Sequence, residues 1–180
     1  LFEWQLYNAS GVGMGSNGTS YLYNNPLACR GGVERRPWFE IPCCPSNISR
    51  TWADLGKYLY TANGDGVWVH QYVNSEIVLA DAGGAAITVE TGLPRSGAVR
   101  IEVTPGETED FGLHLRIPSW VGAAAVRINR GEAESIGAPS PSGVEAASGY
   151  DPRISRFHEV RRNWSAGDIV ELEFNPDVQV

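Results

Sequence analysis

The chain is poor in the residues that build disulfide frameworks, membrane spans and nucleic-acid faces. It carries three cysteines in 180 residues. That count cannot make a disulfide framework, so the redox compartment stays open, with the cytoplasm slightly favoured over the periplasm or secretion. No apolar run approaches the roughly 20 residues that a membrane-crossing helix needs. Lys and Arg number 14 against 21 Asp and Glu, for a net charge of −7. A shortage of positive charge argues against nucleic acid, whose phosphates call for a basic face. Histidine is sparse too: His70, His114 and His158 form no pair at ligand spacing and read as sheet-face residues. No CxxC or HxxxH completes a zinc set. The glycine-rich run Gly11 to Gly18 lacks a preceding strand, the GxGxxG order and the GK[ST] ending of a phosphate cradle. Its Asn17-Gly18 reads as a tight turn. A starter Met and a signal peptide are missing as well, so the chain is expected to be a piece of a longer protein.

What is present is ordinary for a globular protein. Hydrophobic residues make up 42% and charged residues 19%, enough for one well-cored domain or two modest pieces. Residues 1–8 read as the last turns of a helix, and Thr19 to Asn24 as a short strand. Residues 27–42 are irregular and rich in Arg30, Arg35, Arg36, Trp38 and Phe39. Such a loop suits the wall of a sugar or anion site, or a plug of aromatics under the loop. Pro45 to Tyr60 reads as a helix. Pro45 suits its first turn, and Ile48, Trp52, Leu55 and Leu59 form one apolar stripe assigned to packing. Asn63-Gly64-Asp65-Gly66 then marks a turn.

From Val67 onward the period is close to two. Val67 to Val73, Glu76 to Leu79, Ala85 to Glu90, Val99 to Val103 and Phe111 to Ile117 read as strands. So do Ala125 to Asn129, Arg153 to Arg161 and Ile169 to Phe174. Short turns between them give the pattern of an antiparallel β-sandwich. Residues 131–149, rich in Gly, Ala, Ser and Pro, are expected to be a mobile excursion. The architecture changes near residue 66, from helix and loops to sheet.

The chemistry concentrates in Cys43-Cys44-Pro45-Ser46-Asn47, at or just before a helix N-terminus. Free backbone N–H groups and the positive end of the helix dipole favour thiolate there. Thiolate is the form that binds zinc and the form that attacks carbon. Cysteine is often only a small buried hydrophobe, but packing alone seldom asks for two neighbouring thiols before a proline. A strained disulfide between the neighbours is the other bland reading. Glu40 and Asp54 are the carboxylates near enough in sequence to approach the pair, with exposure as their default.

These residues together resemble glycoside hydrolase family 127, the β-L-arabinofuranosidases, beside the related family 146. The resemblance is carried by Tyr21-Leu22-Tyr23-Asn24-Asn25-Pro26-Leu27, Trp38-Phe39, Cys43 to Arg50 and Leu55 to Thr61. It continues in Leu113-His114-Leu115-Arg116-Ile117-Pro118-Ser119-Trp120 and Trp164-Ser165-Ala166-Gly167-Asp168. It implies an α+β multidomain fragment: residues 1–65 as the end of an (α/α)6 catalytic barrel, and residues 66–180 as the adjoining sandwich. It implies Cys43 as nucleophile and zinc ligand, and Cys44 as a further zinc ligand. Tyr21, Tyr23 and Trp38 become candidates for the sugar site. The remaining zinc ligands, in a Glu-x-Cys motif, and the acid/base Glu would lie upstream; Cys29 is no substitute, because Glu does not stand two positions before it.

The implied activity is a retaining, zinc-dependent glycosidase releasing β-linked L-arabinofuranose from an arabinose-containing glycan, with this chain inactive alone. The competing reading is a non-catalytic carbohydrate-binding or structural β-sandwich module with a structural zinc site. Neither nucleic acid nor membrane is an expected partner, and a homodimer is among the assemblies left open.

Overall fold

The computed structural model describes residues 2–136 and 156–176. The chain falls into two compact units, Leu1–Lys57 and Tyr58–Val180. Residues 58–65, expected with the helical part, group with the sheets.

The first unit has little regular structure. Helix α1 (Phe2–Gln5) continues through a π-helical turn, Leu6–Ser10, and a 3-10 turn, Gly11–Gly13, so the helical opening runs past its expected end at residue 8. Leu6 is its buried anchor. The strand expected over Thr19 to Asn24 does not form. Tyr21 alone makes bridges, to Met14 on one side and Arg36 on the other. The Asn17-Gly18 turn is present: Gly18 takes φ +69, and its N–H bonds to the Gly15 carbonyl at 2.9 Å.

Helix α2 spans Cys43–Ala53 and stops well short of Tyr60. Asp54 leaves the helical region at φ −93, ψ 2, its carboxylate pairs with Lys57 at 2.7 Å, and Leu55–Tyr58 tightens into a 3-10 turn. The expected stripe is thereby cut in two. Ile48 and Trp52 lie half-buried on α2, whereas Leu55 is half-buried off it. Leu59 is buried at the start of the second unit.

The second unit is two sheets. Strands β1 (Tyr60–Asn63), β2 (Gly66–Val69), β6 (Asp110–Ile117) and β9 (Arg156–Asn163) form one, in that order. The other orders as β3 (Ser75–Leu79), β4 (Ala85–Thr91), β5 (Ala98–Thr104), β10 (Asp168–Pro176), β7 (Val121–Ile128) and β8 (Glu134–Ile136). The sandwich departs from the expected all-antiparallel pattern at one place: β2 runs parallel to β6, Gly66 opposite Gly112. His70 lies just past β2 and not within it, while His114 and His158 are in β6 and β9. β8 is a short strand inside the expected excursion, paired with Ala124–Val126. The rest of that excursion, residues 137–149, and residues 153–155 of the expected strand lie outside the described residues. No described helix is long and apolar enough to cross a membrane.

Alternation does the packing. In β6, Leu113, Leu115 and Ile117 are buried, as are Val99, Ile101 and Val103 in β5 and Val170, Leu172 and Phe174 in β10. Each strand thus turns one apolar face inward. Trp164, only 1% exposed, ties the β9–β10 corner to β6 by donating from Nε1 to the Phe111 carbonyl at 2.9 Å. Ile101→Ala, in the middle of β5, is expected to cost about 2–5 kcal/mol of stability, as deletion of a buried aliphatic side chain does. Leu55→Ala should cost clearly less, because Leu55 is half-buried. Denaturant melts of the two variants check this; no loss in Ile101→Ala would show that the second unit does not unfold around this core, and a loss of about 2–5 kcal/mol in Leu55→Ala would show that Leu55 is more deeply packed than its half-buried position implies.

Candidate thiol site

Cys43 is the first residue of α2, preceded by Pro42 as N-cap. Pro45, buried in the first turn, needs no hydrogen-bond acceptor there. The Ser46 N–H reaches back to the Pro42 carbonyl at 2.9 Å. These local preferences set both thiols at the helix start.

Tyr23 comes to the thiols from the preceding loop, held by backbone bonds. Tyr21 and Arg36 exchange N–H···O bonds of 2.8 and 2.9 Å, and the Leu22 N–H bonds to the Gly13 carbonyl at 2.8 Å. Arg35 fastens the same loop by donating to the Val12 carbonyl at 2.6 Å. Gly13 is needed where it stands: a Cβ there would lie 2.6 Å from Ile48 Cδ1 on α2. With the loop fixed in this way, the Tyr23 hydroxyl sits 3.0 Å from Cys43 Sγ, and the Tyr23 ring leans on Phe39 at 5.3 Å. Cys43 and Cys44 place their sulfurs 3.6 Å apart. That is far longer than a disulfide bond, and both thiols are free.

The three acidic groups share their protons unequally. The Tyr23 hydroxyl, then the Cys44 thiol, bond to Cys43 and hold its thiol below the ordinary value. Cys44 is pushed up, first by the bond it gives Cys43, and Tyr23 is pushed up by its own bond to Cys43. Cys43 is therefore the sulfur that ionises first, with two donors pointed at it.

Of the other sequence candidates, Tyr21 and Trp38 pair with each other edge to face at 5.5 Å. Neither has a hydrogen bond or ring contact with the thiols among the described residues. Trp38 is half exposed, so it is not a plug beneath the loop. Asp54 is engaged by Lys57, and Glu40 and Cys29 are exposed. Phe39, which backs Tyr23, was marked in the sequence by its aromatic-rich loop and by the Trp38-Phe39 pair of the family resemblance, but neither signal paired it with Tyr23.

The donor set suits zinc in part. Two thiolates on one tetrahedral zinc, with Zn–S near 2.3 Å, stand about 3.8 Å apart, near the 3.6 Å between Cys43 and Cys44. Among the described residues no group of three His, Cys, Asp or Glu could hold a metal. The two sulfurs would supply at most two of the four positions of a tetrahedral site.

The geometry makes Cys43 the more reactive thiol of the metal-free chain. Iodoacetamide at pH 7 is expected to modify Cys43 ahead of Cys44, with a pH midpoint for Cys43 below the usual value of about 8.5. Tyr23→Phe removes a donor to the thiolate and should move that midpoint upward. Peptide mapping across a pH series reads both; identical rates for the two cysteines would show that the contact does not form in solution.

Comparison with known proteins places the chain. Residues 1–57 match the family model described as "Beta-L-arabinofuranosidase, GH127 catalytic domain", and residues 66–176 match "Beta-L-arabinofuranosidase, GH127 middle domain". A non-reducing end beta-L-arabinofuranosidase of Bifidobacterium longum subsp. longum is 30% identical over 136 residues, covering 67% of this chain and 20% of that protein. The solved GH127 beta-L-arabinofuranosidase of Geobacillus stearothermophilus T6 is similar at 33% identity and a TM-score of 0.68, over 94% of this chain and 26% of its own. Another solved GH127 beta-arabinofuranosidase gives a TM-score of 0.73 at 31% identity, over 96% of this chain and 27% of its own. The chain therefore spans only about a fifth to a quarter of these relatives. With matches across both units, the chain belongs to glycoside hydrolase family 127.

Proposed function

We propose that the chain is part of a retaining β-L-arabinofuranosidase, that residues 1–57 contribute the end of its (α/α)6 catalytic barrel, and that Cys43 is its nucleophile. The observation that carries this reading is the 3.0 Å contact of Tyr23 with Cys43 at the start of α2. It lies in the segment that matches the family's catalytic domain. A thiol at its free pKa is mostly protonated at neutral pH, so a thiolate nucleophile needs donors around it. Tyr23 and the helix start supply them.

In the proposed reaction the Cys43 thiolate attacks the anomeric carbon of an arabinofuranosyl group. The carbon–oxygen bond to the leaving group breaks, and a carboxylic acid from outside this chain protonates the departing oxygen. Water, deprotonated by the same carboxylate, then displaces sulfur and restores the thiolate, so configuration is retained. Tyr23 holds the thiolate by donating a hydrogen bond from its hydroxyl to Sγ before attack and again on release, keeping its own proton throughout. Tyr21 and Trp38 form an aromatic wall for the sugar. Zinc, when held by Cys43 and Cys44 together with ligands from elsewhere in the protein, keeps both sulfurs deprotonated. The substrate is an arabinose-containing glycan. Lacking the acid/base residue, the 180-residue chain is expected not to turn over a nitrophenyl arabinofuranoside.

In the full-length enzyme, Cys43→Ser is expected to lower activity by several orders of magnitude, because a serine hydroxyl is far less acidic. Cys44→Ser should chiefly weaken zinc binding, with part of the activity returning in excess metal. A mechanism-based inhibitor with an electrophilic anomeric centre should label Cys43 and spare Cys44. Mass mapping of residues 37–50 decides it; label on an upstream carboxylate, with both cysteines untouched, overturns the nucleophile assignment.

A further inference from the structure

The outward face of the six-stranded sheet carries two rows of side chains that differ in how their charge is used. One row runs Glu90, Arg100, Glu171, Arg127 across β4, β5, β10 and β7, in register. Its signs alternate and its members pair with one another: Arg100 with Glu90 at 3.6 Å, and Arg127 with Glu171 at 2.8 Å. The next row runs Ala98, Glu173, Ala125. Here Glu173 stands between two alanines and has no cation or donor partner among the described residues. Small neighbours leave open space on both sides of this exposed carboxylate.

That space is enclosed further along β10. The β4–β5 connection turns back close beside β10, and Gly97 permits the approach: a Cβ there would lie 1.8 Å from the Phe174 carbonyl oxygen. Together with Trp120, whose ring meets Phe174 edge-on at 6.0 Å, it encloses a cavity of about 430 Å³ lined by Arg95, Ser96, Glu173 and Asn175 among others. The side chains of Arg95, Glu173 and Asn175 make no hydrogen bond or ion pair among the described residues. Glu173 also lines a trough of about 840 Å³ that continues over Ala98 and Ala125 to the paired row. An indole, a guanidinium, an amide and a carboxylate thus converge on a cavity of small-ligand size that opens into a longer groove.

We propose that this cavity and trough are a non-catalytic binding site for a short neutral oligosaccharide. A carboxylate and a guanidinium suit adjacent hydroxyls, the first accepting two hydrogen bonds and the second donating two. The indole offers a flat apolar surface with one polar edge, matched to the C–H face of a sugar ring. A metal cation does not fit, since among the described residues Glu173 is the one carboxylate in the cavity lining and Arg95 lines the same cavity. The trough of alanines gives room for more than one ring, which favours a chain over a monosaccharide. The choice of arabinose as the sugar rests on the proposed function; the site itself does not.

The test is calorimetric titration of the 180-residue chain with a synthetic β-linked L-arabinofuranosyl trisaccharide, with cellotriose as comparison. Saturable binding of the arabinofuranosyl compound is expected, weakened at least tenfold by the double variant Arg95→Ala, Asn175→Ala and by Glu173→Gln, and unchanged in Glu159→Gln, on β9 of the four-stranded sheet. Trp120→Phe, which keeps an aromatic ring beside Phe174, should weaken binding severalfold without changing the melting curve. No saturable binding, binding indifferent to the cavity variants, or binding lost in Glu159→Gln instead would overturn the proposal. Binding that follows the Arg95 and Glu173 variants while the full-length enzyme shows no label on Cys43 would support this site and reject only the nucleophile.

Discussion

A sheet with one apolar face must hide it, and in the second unit each sheet's face is hidden by the other. Everything else in that unit follows from this constraint. The inward row of β6, Leu113, Leu115 and Ile117, meets inward rows such as Ile101 and Val103 of β5 and Leu172 and Phe174 of β10, all essentially solvent-free. Polar side chains near the edges are used as fasteners. Arg116 is buried although it sits in an outward position of β6. Its guanidinium is satisfied by donating to the His70 carbonyl and to Gln71 Oε1, while its own carbonyl accepts from the Tyr72 hydroxyl at 2.8 Å. A charge is tolerated there because its donors are spent on fixed acceptors.

The thiol site depends on a different balance, one of protons and not of area. Two thiols and a phenol within hydrogen-bonding reach cannot all ionise, so stabilising one anion requires the others to stay protonated. The chain singles out Cys43 by geometry: it alone lies within hydrogen-bonding reach of both other groups, the Tyr23 hydroxyl and the Cys44 thiol. That selection rests on backbone bonds made some way off, between Tyr21 and Arg36 and between Leu22 and Gly13. A loop with little regular structure is thus held by enough main-chain bonds to aim one hydroxyl.

Most strands were legible in the sequence because alternation of buried and exposed residues is a local property. Phe111 to Ile117 shows it most plainly, and the structure differs there by a single residue, Asp110. β1 was hidden for the opposite reason. Leu55 and Leu59 continue the spacing of α2, so periodicity extends the helix, yet Tyr60–Asn63 is a strand only because β2 lies beside it, Tyr60 against Val69. The turn between them was readable: Asn63 Oδ1 accepts the Asp65 and Gly66 N–H groups, as an Asn-Gly turn should. β8 is three residues long in a stretch whose composition speaks for a loop. The parallel pairing of β2 with β6 leaves no trace in either strand's pattern. At the thiol site the helix start was readable from the proline, but which tyrosine reaches Cys43 depends on the path of the loop.

The residues that carry the family resemblance therefore divide by what they do. Trp164-Ser165-Ala166-Gly167-Asp168 is a corner. Gly167 takes φ +84, which a side chain resists. The Asp168 carboxylate accepts the Ser165 N–H at 3.0 Å and the Asn129 amide at 3.0 Å, bonds that hold its carboxyl below the usual range, the Ser165 N–H foremost. Asn129, itself at φ 56, returns a bond from its Oδ1 to the Ile169 N–H at 2.9 Å. Each of these positions is explained by turning the chain from β9 into β10, with no chemistry required. Cys43 and Cys44 are the reverse case. Helix start and proline account for where the thiols are, but an alanine pair would satisfy the same backbone. What remains unexplained by folding is the sulfur and the tyrosine beside it, and that remainder is the part of this chain on which the proposed function rests.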